Sequence, residues 1–355
     1  MFSAFINAFK VKELRKRILF TAGVIVLCRI AANIPCPGVN SESLALYFNQ
    51  LAESSSTASG VLNIVDIFSG GALQQFAIGA LGIMPYISAS IIMQLMAPVV
   101  PYIEKLKREG EVGYARINQL TRYLTIVICL IQGAMAAMAM MKPERLGLPA
   151  PHSPLVPEGD VWFVILSMII LTCGTMILMW FGERITERGI GNGISIIITI
   201  NIIERLPQAV RSLIDMASAG MTSSGGKFRL AHLFLLLLTF AVVTALTVVL
   251  TQGVRRVPVQ MAKKTIGNRQ TGGNTYMPLK VNFAGVMPII FAQSIASLPA
   301  TIAAFTGHSG SKWAQTNTIL YAVLYFALII FFAYFYSTIQ FNPIEVSNNL
   351  KKNGG

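Results

Sequence analysis

One apolar stretch of this chain, residues 61–100, is broken by two adjacent glycines. The run from Val61 to Gly70 has ten residues, which at about 1.5 Å per residue reach only about half of a ~30 Å hydrocarbon core. The next run, Phe76 to Val100, has no charge and only Gln94 as a strongly polar side chain, so it is long enough to cross as a full helix. Unpaired backbone is tolerated at membrane depth only inside protein or beside a water-filled cavity. The break at Gly70-Gly71 therefore predicts a short re-entrant half-helix beside a cavity, followed by a spanning helix.

The composition predicts an all-α polytopic membrane protein. Of the 355 residues, 54% are apolar and only 12% are charged, which is typical of a chain that lies largely in lipid. The 28 Lys and Arg outnumber the 15 Asp and Glu. Because the basic residues alternate with apolar runs, they indicate orientation in a bilayer rather than nucleic-acid binding.

Eight apolar runs are suitable for crossing the membrane. They lie near residues 18–34, 76–100, 117–141, 161–181, 190–206, 230–251, 284–305 and 314–338. If the first run enters from the cytoplasm, the cytoplasmic segments hold 20 Lys and Arg, whereas those on the other side hold 7. This asymmetry predicts that both ends of the chain are cytoplasmic. The charges from Glu204 to Arg211 indicate an amphipathic extension after the fifth run.

Two pairs of isoleucines have helical spacing. Ile83 and Ile87 share one face of the predicted second span, with Pro85 between them loosening the backbone, and Ile194 and Ile198 repeat this spacing in the fifth. Branched apolar side chains can close a pore by excluding water and ions. The alternative is that these isoleucines simply face lipid or neighbouring helices, and the residues alone leave both readings open.

A seam of small residues follows the same second span. It includes Gly79, Gly82 and Ser88, which let another backbone come close. Gln94 and Asn282 are candidates for polar contacts near the cytoplasmic ends of spans two and seven. Such a seam can separate at modest cost, although ordinary tight helix packing explains it equally well.

The cytoplasmic segment from Gln252 to Asn282 is basic. It has Arg255, Arg256, Lys263, Lys264, Arg269 and Lys280 and no acidic residue. It is also longer than a minimal helix–helix turn requires. Anionic lipid, a nucleic-acid backbone and an acidic protein surface are all possible partners of such an arm, and its length favours docking to a large partner.

No motif for catalysis or cofactor binding stands out. The segment from Gly182 to Ser195 has glycines spaced by two, but no strand precedes it, so we interpret it as a turn in which Asn192 caps the next helix beside a solvated charge cluster. The four cysteines have no C-x-x-C spacing, the three histidines are scattered, and no Walker lysine motif is present. We therefore expect no enzyme activity, no cofactor, no metal site and no direct ATP binding.

The start of the chain has a basic segment followed by an apolar run, as in a secretory signal. Arg29 interrupts that run, and no small-residue cleavage site precedes Pro35. We therefore predict a retained first helix.

Several long motifs, in order along the chain, identify a family. They are FSGGAL with LGIMPYISASII, then GERITERGIGNGISIII, RRVPVQMAKK, PLKVNFAGVMPIIFAQSI and FNPIEVSNNLKK. Together they strongly resemble SecY, the channel-forming subunit of the bacterial general secretory protein translocase. The likeness runs from about Lys10 to the last residue.

The resemblance implies a single membrane domain built as a clamshell around an hourglass pore, with a first half over residues 1–215 and a second half over 216–355. The short half-helix, residues 61–72, would be a plug on the outer side. Its residues would be Val61, Ile64, Val65, Ile67, Phe68, Gly70 and Gly71. The pore ring would be Ile83, Ile87, Ile194, Ile198 and Ile290.

The resemblance also implies a lateral gate and a set of partners. The gate would open between spans two and three on one side and seven and eight on the other, near Ser88, Gln94, Asn282 and Leu298. The arm over residues 252–282 would dock the SecA motor or the ribosome through Arg255, Arg256, Lys263 and Lys264. SecE and SecG would be membrane partners in the bacterial plasma membrane, and unfolded preproteins, signal sequences and membrane lipids would also be bound.

The chain differs from the family pattern in one respect. SecY-like proteins continue after the NNLKK stretch with a second basic loop and two more helices, which gives ten spans where this chain has eight. The expected second half is therefore incomplete, with three helices. A secondary transporter with a broken-helix site is the alternative function, but such a site usually has an intramembrane charge or polar cluster, and Arg29 is the only charge that lies clearly within a predicted span.

Overall fold

The structure is a computed structural model that describes the residues in most of the predicted helices. The described residues are 10–53, 66, 69–97, 99–141, 155–156, 161–219, 230–260, 264–266, 269–271, 274–282, 285, 287–289, 291–293, 295–296, 319–340, 347 and 351. They fall into two compact units. The first comprises the described residues of Met1–Val210 and Ser297–Tyr321, and the second those of Arg211–Ala296 and Ala322–Gly355.

The first unit is helical. Its helices are α1 (Lys12–Asn33), α2 (Ser41–Glu53), α3 (Met84–Met96), α4 (Pro101–Arg108), α5 (Glu111–Met141), α6 (Val161–Arg188) and α7 (Gly193–Glu204). A further helix, α8 (Leu206–Ala219), begins in the first unit and continues into the second. The break between α7 and α8 supports the predicted amphipathic extension, because Leu206, Val210 and Ile214 recur at intervals of four beside polar positions.

The second unit contains one long helix, most of a second long helix and four short strands. These elements are α9 (Leu230–Gln252), β1 (Val254–Gln260), β2 (Lys264–Ile266), β3 (Arg269–Thr271), β4 (Asn274–Lys280) and α10 (Ile319–Gln340). Strand β1 pairs antiparallel with β4, from Val254 opposite Lys280 to Gln260 opposite Asn274. Strand β2 pairs antiparallel with β3. The described residues of the predicted basic arm therefore form antiparallel strand pairs, which we call the hairpin.

Five helices among the described residues are long and apolar enough to cross a membrane. They are Glu111–Met141, Val161–Arg188, Gly193–Asp215, His232–Gln252 and Leu320–Thr338, and each matches one of the eight predicted spans. Helices α3 and α4 form a sixth candidate that bends by 95°. Helix α1 has 22 residues but carries Arg29 and a basic first turn. Most of the run near 284–305 lies outside the described residues, so the count of eight stays a prediction.

The predicted continuous helix from Phe76 to Val100 is wrong at its start. Helix α3 begins only at Met84, and residues 71–83 form successive turns. Phe76 and Gly82 both have positive φ, 45° and 58°, which a helix does not allow. Pro85 lies in the first turn of α3, where its missing N–H is not needed. Pro85 therefore starts the helix instead of loosening it between Ile83 and Ile87.

The turns of residues 71–83 are stable in an apolar environment because the end of α1 and the residues just after it supply hydrogen-bond partners for their backbone. The Cys36 N–H donates to the Phe76 carbonyl at 3.0 Å, and the Ile78 N–H donates to the Ile34 carbonyl at 2.9 Å. The Gly79 N–H donates to the Ala31 carbonyl at 3.3 Å. Irregular backbone is thus paired inside protein, as the membrane requires.

A hydrophobic core joins these turns to α2, α5 and α6. Phe76 is fully buried and stacks on Phe163 of α6, with ring centroids 6.4 Å apart. From α2, Leu44 and Tyr47 enter the same cluster, and burial raises the pKa of Tyr47 to about 12. Helix α2 is capped by Asn40, whose side-chain oxygen accepts from two backbone N–H groups at 3.1 and 3.2 Å.

Candidate functional site

The predicted break at the two glycines is present and is held by local hydrogen bonds. Gly70 and Gly71 have φ of 68° and 79°, in the left-handed region that glycine adopts without strain. The Gly71 N–H donates to the Asp66 carbonyl at 3.0 Å. The Asp66 carboxylate accepts from the Gln74 N–H at 3.2 Å, and the Ser69 hydroxyl bonds the Leu73 N–H at 3.3 Å. Of the predicted plug residues, these two glycines are described; Val61, Ile64, Val65, Ile67 and Phe68 lie outside the described residues.

A group of charged and polar side chains surrounds this glycine turn. We call it the charged cluster, and it consists of Arg29, Asp66, Asn201, Glu204 and Arg205. Asp66 forms an ion pair with Arg205, and the side-chain exposures of the two are 1% and 27%. A carboxylate so completely removed from water is stable in its charged form only beside an opposite charge.

The second ion pair of the cluster joins α1 to the end of α7. Arg29 pairs with Glu204, and its other guanidinium nitrogen donates to the Asn201 side-chain oxygen at 3.0 Å. The first nitrogen also lies 3.5 Å from the Gly70 carbonyl oxygen. The cluster thus connects three segments that are far apart in the sequence: α1, the glycine turn and the α7–α8 junction.

Most of this cluster is not predicted from the sequence. The run from Val61 to Gly70 is apolar on average although Asp66 lies within it, and Glu204 and Arg205 are predicted only as part of an amphipathic extension. The signal that could have found the cluster is the cost of burying charge: Asp66 and Arg29 each lie in an apolar run, and each therefore requires a partner of opposite sign.

The four described isoleucines of the predicted ring lie in the first unit. Ile83 is the residue that precedes the first turn of α3, and its carbonyl accepts from the Ile87 N–H at 3.1 Å, so the two are one turn apart. They are buried, with exposures of 2% and 6%, which argues against contact with lipid. Ile194 and Ile198 of α7 are half-buried. Ile290 lies outside the described residues.

The predicted gate residues form local contacts where they are described. The Gln94 side chain donates to the Ser90 hydroxyl at 3.2 Å, one turn earlier in α3. The Asn282 side chain accepts from the Gly285 N–H at 3.0 Å and closes a turn. Ser88 is half-buried. Leu298 lies outside the described residues, so the gate stays a prediction.

Two of the four predicted docking residues are described with their side chains. Arg255 and Arg256 are exposed on β1, opposite Leu279 and Pro278 of β4. Lys264 lies in β2, and Lys263 falls outside the described residues. The hairpin therefore presents two adjacent arginines to solvent.

The turn between α6 and α7 confirms the predicted helix cap. The Asn192 side-chain oxygen accepts from the Ile194 and Ser195 N–H groups at 3.1 and 3.3 Å. The charges before it are less solvated than predicted, because Glu183 is only 23% exposed and receives two hydrogen bonds from Arg122 of α5, at 3.1 and 2.7 Å. This pair joins the first half of α5 to the end of α6.

The described part of the chain has no candidate metal site. No group of three or more His, Cys, Asp or Glu side chains there could hold a metal ion. The four cysteines are free; Cys28, Cys36 and Cys129 are buried and Cys173 is exposed. Burial raises the pKa of the Cys36 thiol, which makes it less reactive.

Comparison with known proteins gives one consistent family. The family model SecY matches residues 77–355. The protein translocase subunit SecY of Streptomyces galbus is 43% identical over 363 residues, which cover 100% of this chain and 80% of that protein.

Two solved structures share the fold. One is described as Sec61 in the canine ribosome-channel complex from the endoplasmic reticulum, with a TM-score of 0.55, 14% identity, and coverage of 96% of this chain and 76% of that one. The other is a SecY structure whose description states that the plug domain stabilises the closed state of the translocation channel; its TM-score is 0.53 at 16% identity, with coverage of 95% and 75%.

Proposed function

Since this chain belongs to the SecY family, we propose that it conducts unfolded secretory proteins across the bacterial plasma membrane and releases signal and transmembrane helices sideways into lipid. It is a multi-pass membrane protein and a protein-conducting channel subunit, not an enzyme. The transporter alternative is not favoured, because the relatives that match the whole chain are protein translocase subunits.

The observation that carries this proposal beyond family membership is the broken apolar segment. An extended polypeptide that crosses ~30 Å at about 3.3 Å per residue exposes about ten peptide groups. Leaving those groups unpaired in lipid costs several kcal/mol each, so the path must be wet. Residues 71–83 are irregular backbone that is mostly buried, and three of them pair with the backbone of residues 31–36. Such backbone occurs at membrane depth where it lines a cavity or lies inside protein.

The isoleucines can seal the water-filled pore against ions while no polypeptide is passing through it. A constriction that accepts any sequence should lack specific hydrogen-bonding groups, and branched apolar side chains meet that need by excluding water and ions. Ile83 and Ile87, one turn apart, and Ile194 and Ile198 in α7 are proposed as the ring together with Ile290. The glycine turn and the residues before it are proposed as the plug.

The partners and the orientation are proposed as well. The exposed arginines of β1 would dock the SecA motor or the ribosome, and a ribosome is supported by the fold shared with Sec61 in a ribosome-channel complex. SecE and SecG are proposed as membrane partners, and the excess of basic residues on one side supports cytoplasmic ends. No motor motif is present in the sequence, so direction must come from a partner or from the membrane potential.

Site-specific crosslinking tests the proposal. A photo-crosslinking amino acid is placed at Ile87 in the assembled translocase, and a secretory protein is stalled during export. The same probe at Ile169, which is 50% exposed on α6, is the control. We expect the stalled chain to crosslink to position 87 and not to position 169. Absence of any crosslink from position 87 while the protein is demonstrably in transit would overturn the ring assignment.

A further inference from the structure

We infer that the charged cluster is a latch, which holds the glycine turn at the base of the plug against α1 and α7 in the idle channel and thereby sets how strong a signal sequence must be to open it. This inference rests on the proposed function, because a latch needs a channel to close. It assigns a role to Arg29, Asp66, Asn201, Glu204 and Arg205 that the ring and the plug do not explain.

The first argument is connectivity. Glu204 and Arg205 are neighbours in sequence but pair with different segments: Glu204 pairs with Arg29 of α1, and Arg205 pairs with Asp66 before the glycine turn. The α7–α8 junction therefore binds both α1 and the plug base, by which we mean Asp66 and the glycine turn at Gly70 and Gly71. Movement of the plug base away from this junction must break the Arg205–Asp66 pair and the Arg29 contact with the Gly70 carbonyl.

The second argument is charge balance. The cluster has two arginines and two carboxylates, so its formal charge is zero and no ion is needed to neutralise it. In a low-dielectric environment these four charged side chains are stable only while both ion pairs are formed. In a water-filled open channel the separated charges are hydrated instead. The cluster can therefore exist in two arrangements: the ion pairs are formed and shielded from water, or the charges are separated and hydrated. A two-state switch requires two such arrangements.

The third argument is the fit of Gly70 against the cluster. A Cβ at Gly70 would lie 2.7 Å from the Arg29 guanidinium nitrogen, 2.9 Å from the Glu204 carboxylate oxygen and 3.2 Å from the Asn201 side-chain carbon. The backbone of the turn is therefore in direct contact with side chains of both helices. This contact makes the turn, and not only the Asp66 side chain, part of the closed arrangement.

The two members of the buried pair should differ in effect. Removing Arg205 leaves the Asp66 carboxylate, whose side chain is 1% exposed, without its counter-charge. Removing the Asp66 charge leaves Arg205, which is 27% exposed and retains more contact with solvent. Because an isolated buried charge is the costlier of the two, R205Q should loosen the latch more than D66N.

The test compares variants in the assembled translocase reconstituted in lipid vesicles. Each variant is measured for idle ion conductance and for export of two reporters, one with an intact signal sequence and one with a weakened one. The variants are D66N, R205Q, R29E, E204R and the charge-swapped pair R29E/E204R. The matched control is R108Q, which removes an arginine from the exposed Glu104–Arg108 pair on α4.

We expect R205Q to raise export of the weakened reporter by at least about fivefold, the lower end of ordinary coupling between two states, and to raise idle conductance. D66N should do the same to a smaller extent. R29E and E204R should each relax selectivity, and the charge swap should restore it. R108Q should leave both readings unchanged. A role in folding alone would lower the amount of complex without changing selectivity.

The result that overturns the latch is unchanged conductance and unchanged signal selectivity in D66N and R205Q complexes that assemble in normal amounts. A swap that assembles normally but does not restore selectivity also counts against it. If the swapped pair does not assemble, the comparison of R205Q with D66N decides alone. Export of the intact reporter by the unmodified complex separates the two hypotheses: its absence refutes the proposed function, whereas its presence with unaltered selectivity in the variants refutes only the latch.

Discussion

Gly193 lies directly against the backbone of Gly182, so closely that a Cβ at Gly193 would clash with the Gly182 carbonyl oxygen. The Gly193 N–H also donates to the Thr186 hydroxyl of α6 at 2.9 Å. These two contacts fix the start of α7 on the end of α6. They therefore also fix Ile194, the first proposed ring residue of α7.

We predict that G193A destabilises the complex because no side chain fits between these two backbones. Forcing extra atoms into a packed contact typically costs about 1–3 kcal/mol. The control is G23A in α1, where a Cβ would meet nothing within 4 Å and where alanine favours the helix. Thermal unfolding of the purified complexes checks this, with a lower midpoint expected for G193A only. Equal midpoints would show that α6 and α7 can separate freely.

A polar side chain at Ile87 should open the idle channel. Ile87 is 6% exposed, and I87N would place an amide that attracts water in a constriction that excludes it by being apolar. We expect ion leakage and acceptance of weakened signal sequences. The conservative variant I87V keeps the apolar surface and should stay sealed. Planar-bilayer conductance measures the difference, and an I87N channel as tight as I87V would place Ile87 outside the ring.

Reversing the two exposed charges of β1 should weaken partner docking. The double variant R255E/R256E changes side chains that are exposed on the hairpin, so insertion into the membrane should proceed as before. Affinity for the SecA motor or the ribosome should fall, and residual binding should depend less on salt, because fewer opposite charges meet. R116E, an exposed charge reversal on α5, is the control. If R255E/R256E binds the partner as tightly as R116E does, the two arginines do not dock the partner and the hairpin has another role.

Alkaline pH should destabilise the first unit through Tyr47. Burial raises the pKa of Tyr47 from its ordinary 10.0 to about 12, so the unfolded chain loses this proton at lower pH than the folded one. The contribution of the protonated phenol is complete below about pH 10 and is lost as the pH rises to about 12. Y47F has no proton to lose, so its unfolding midpoint should fall less over pH 9–11 than that of the unmodified chain. Parallel curves would indicate that the phenol is hydrated in the folded state.

The features that the sequence predicted correctly depend on neighbours along the chain. The Asn192 cap and the break at Gly70-Gly71 follow from side chains or backbone freedom within a few residues. The five matched spans follow from long apolar runs, which have few alternatives in lipid. The SecY family also followed from the sequence, because its motifs are long and lie in order.

The features that the sequence did not give depend on partners far along the chain. Apolarity alone favoured a helix over residues 76–83, because it does not reveal that α1 supplies hydrogen-bond partners for turned backbone there. The charged cluster joins Arg29 to residues more than 170 positions away. Asp66 does not stand out in the sequence because one carboxylate changes the average apolarity of a short run very little, although burying it requires a specific partner.

The backbone pairing between α1 and residues 76–79 has a consequence for biogenesis. The carbonyls of Ala31, in the last turn of α1, and of Ile34, just after it, accept hydrogen bonds from the N–H groups of Gly79 and Ile78, respectively. During synthesis the first helix reaches the bilayer well before those donors have been made. Until the later segment has been made, these carbonyls must therefore accept hydrogen bonds from water at the headgroup surface or from donors of the insertion machinery. The hydrogen bonding at the end of the first helix of this channel is therefore completed only after the segment that contains Ile78 and Gly79 has been made.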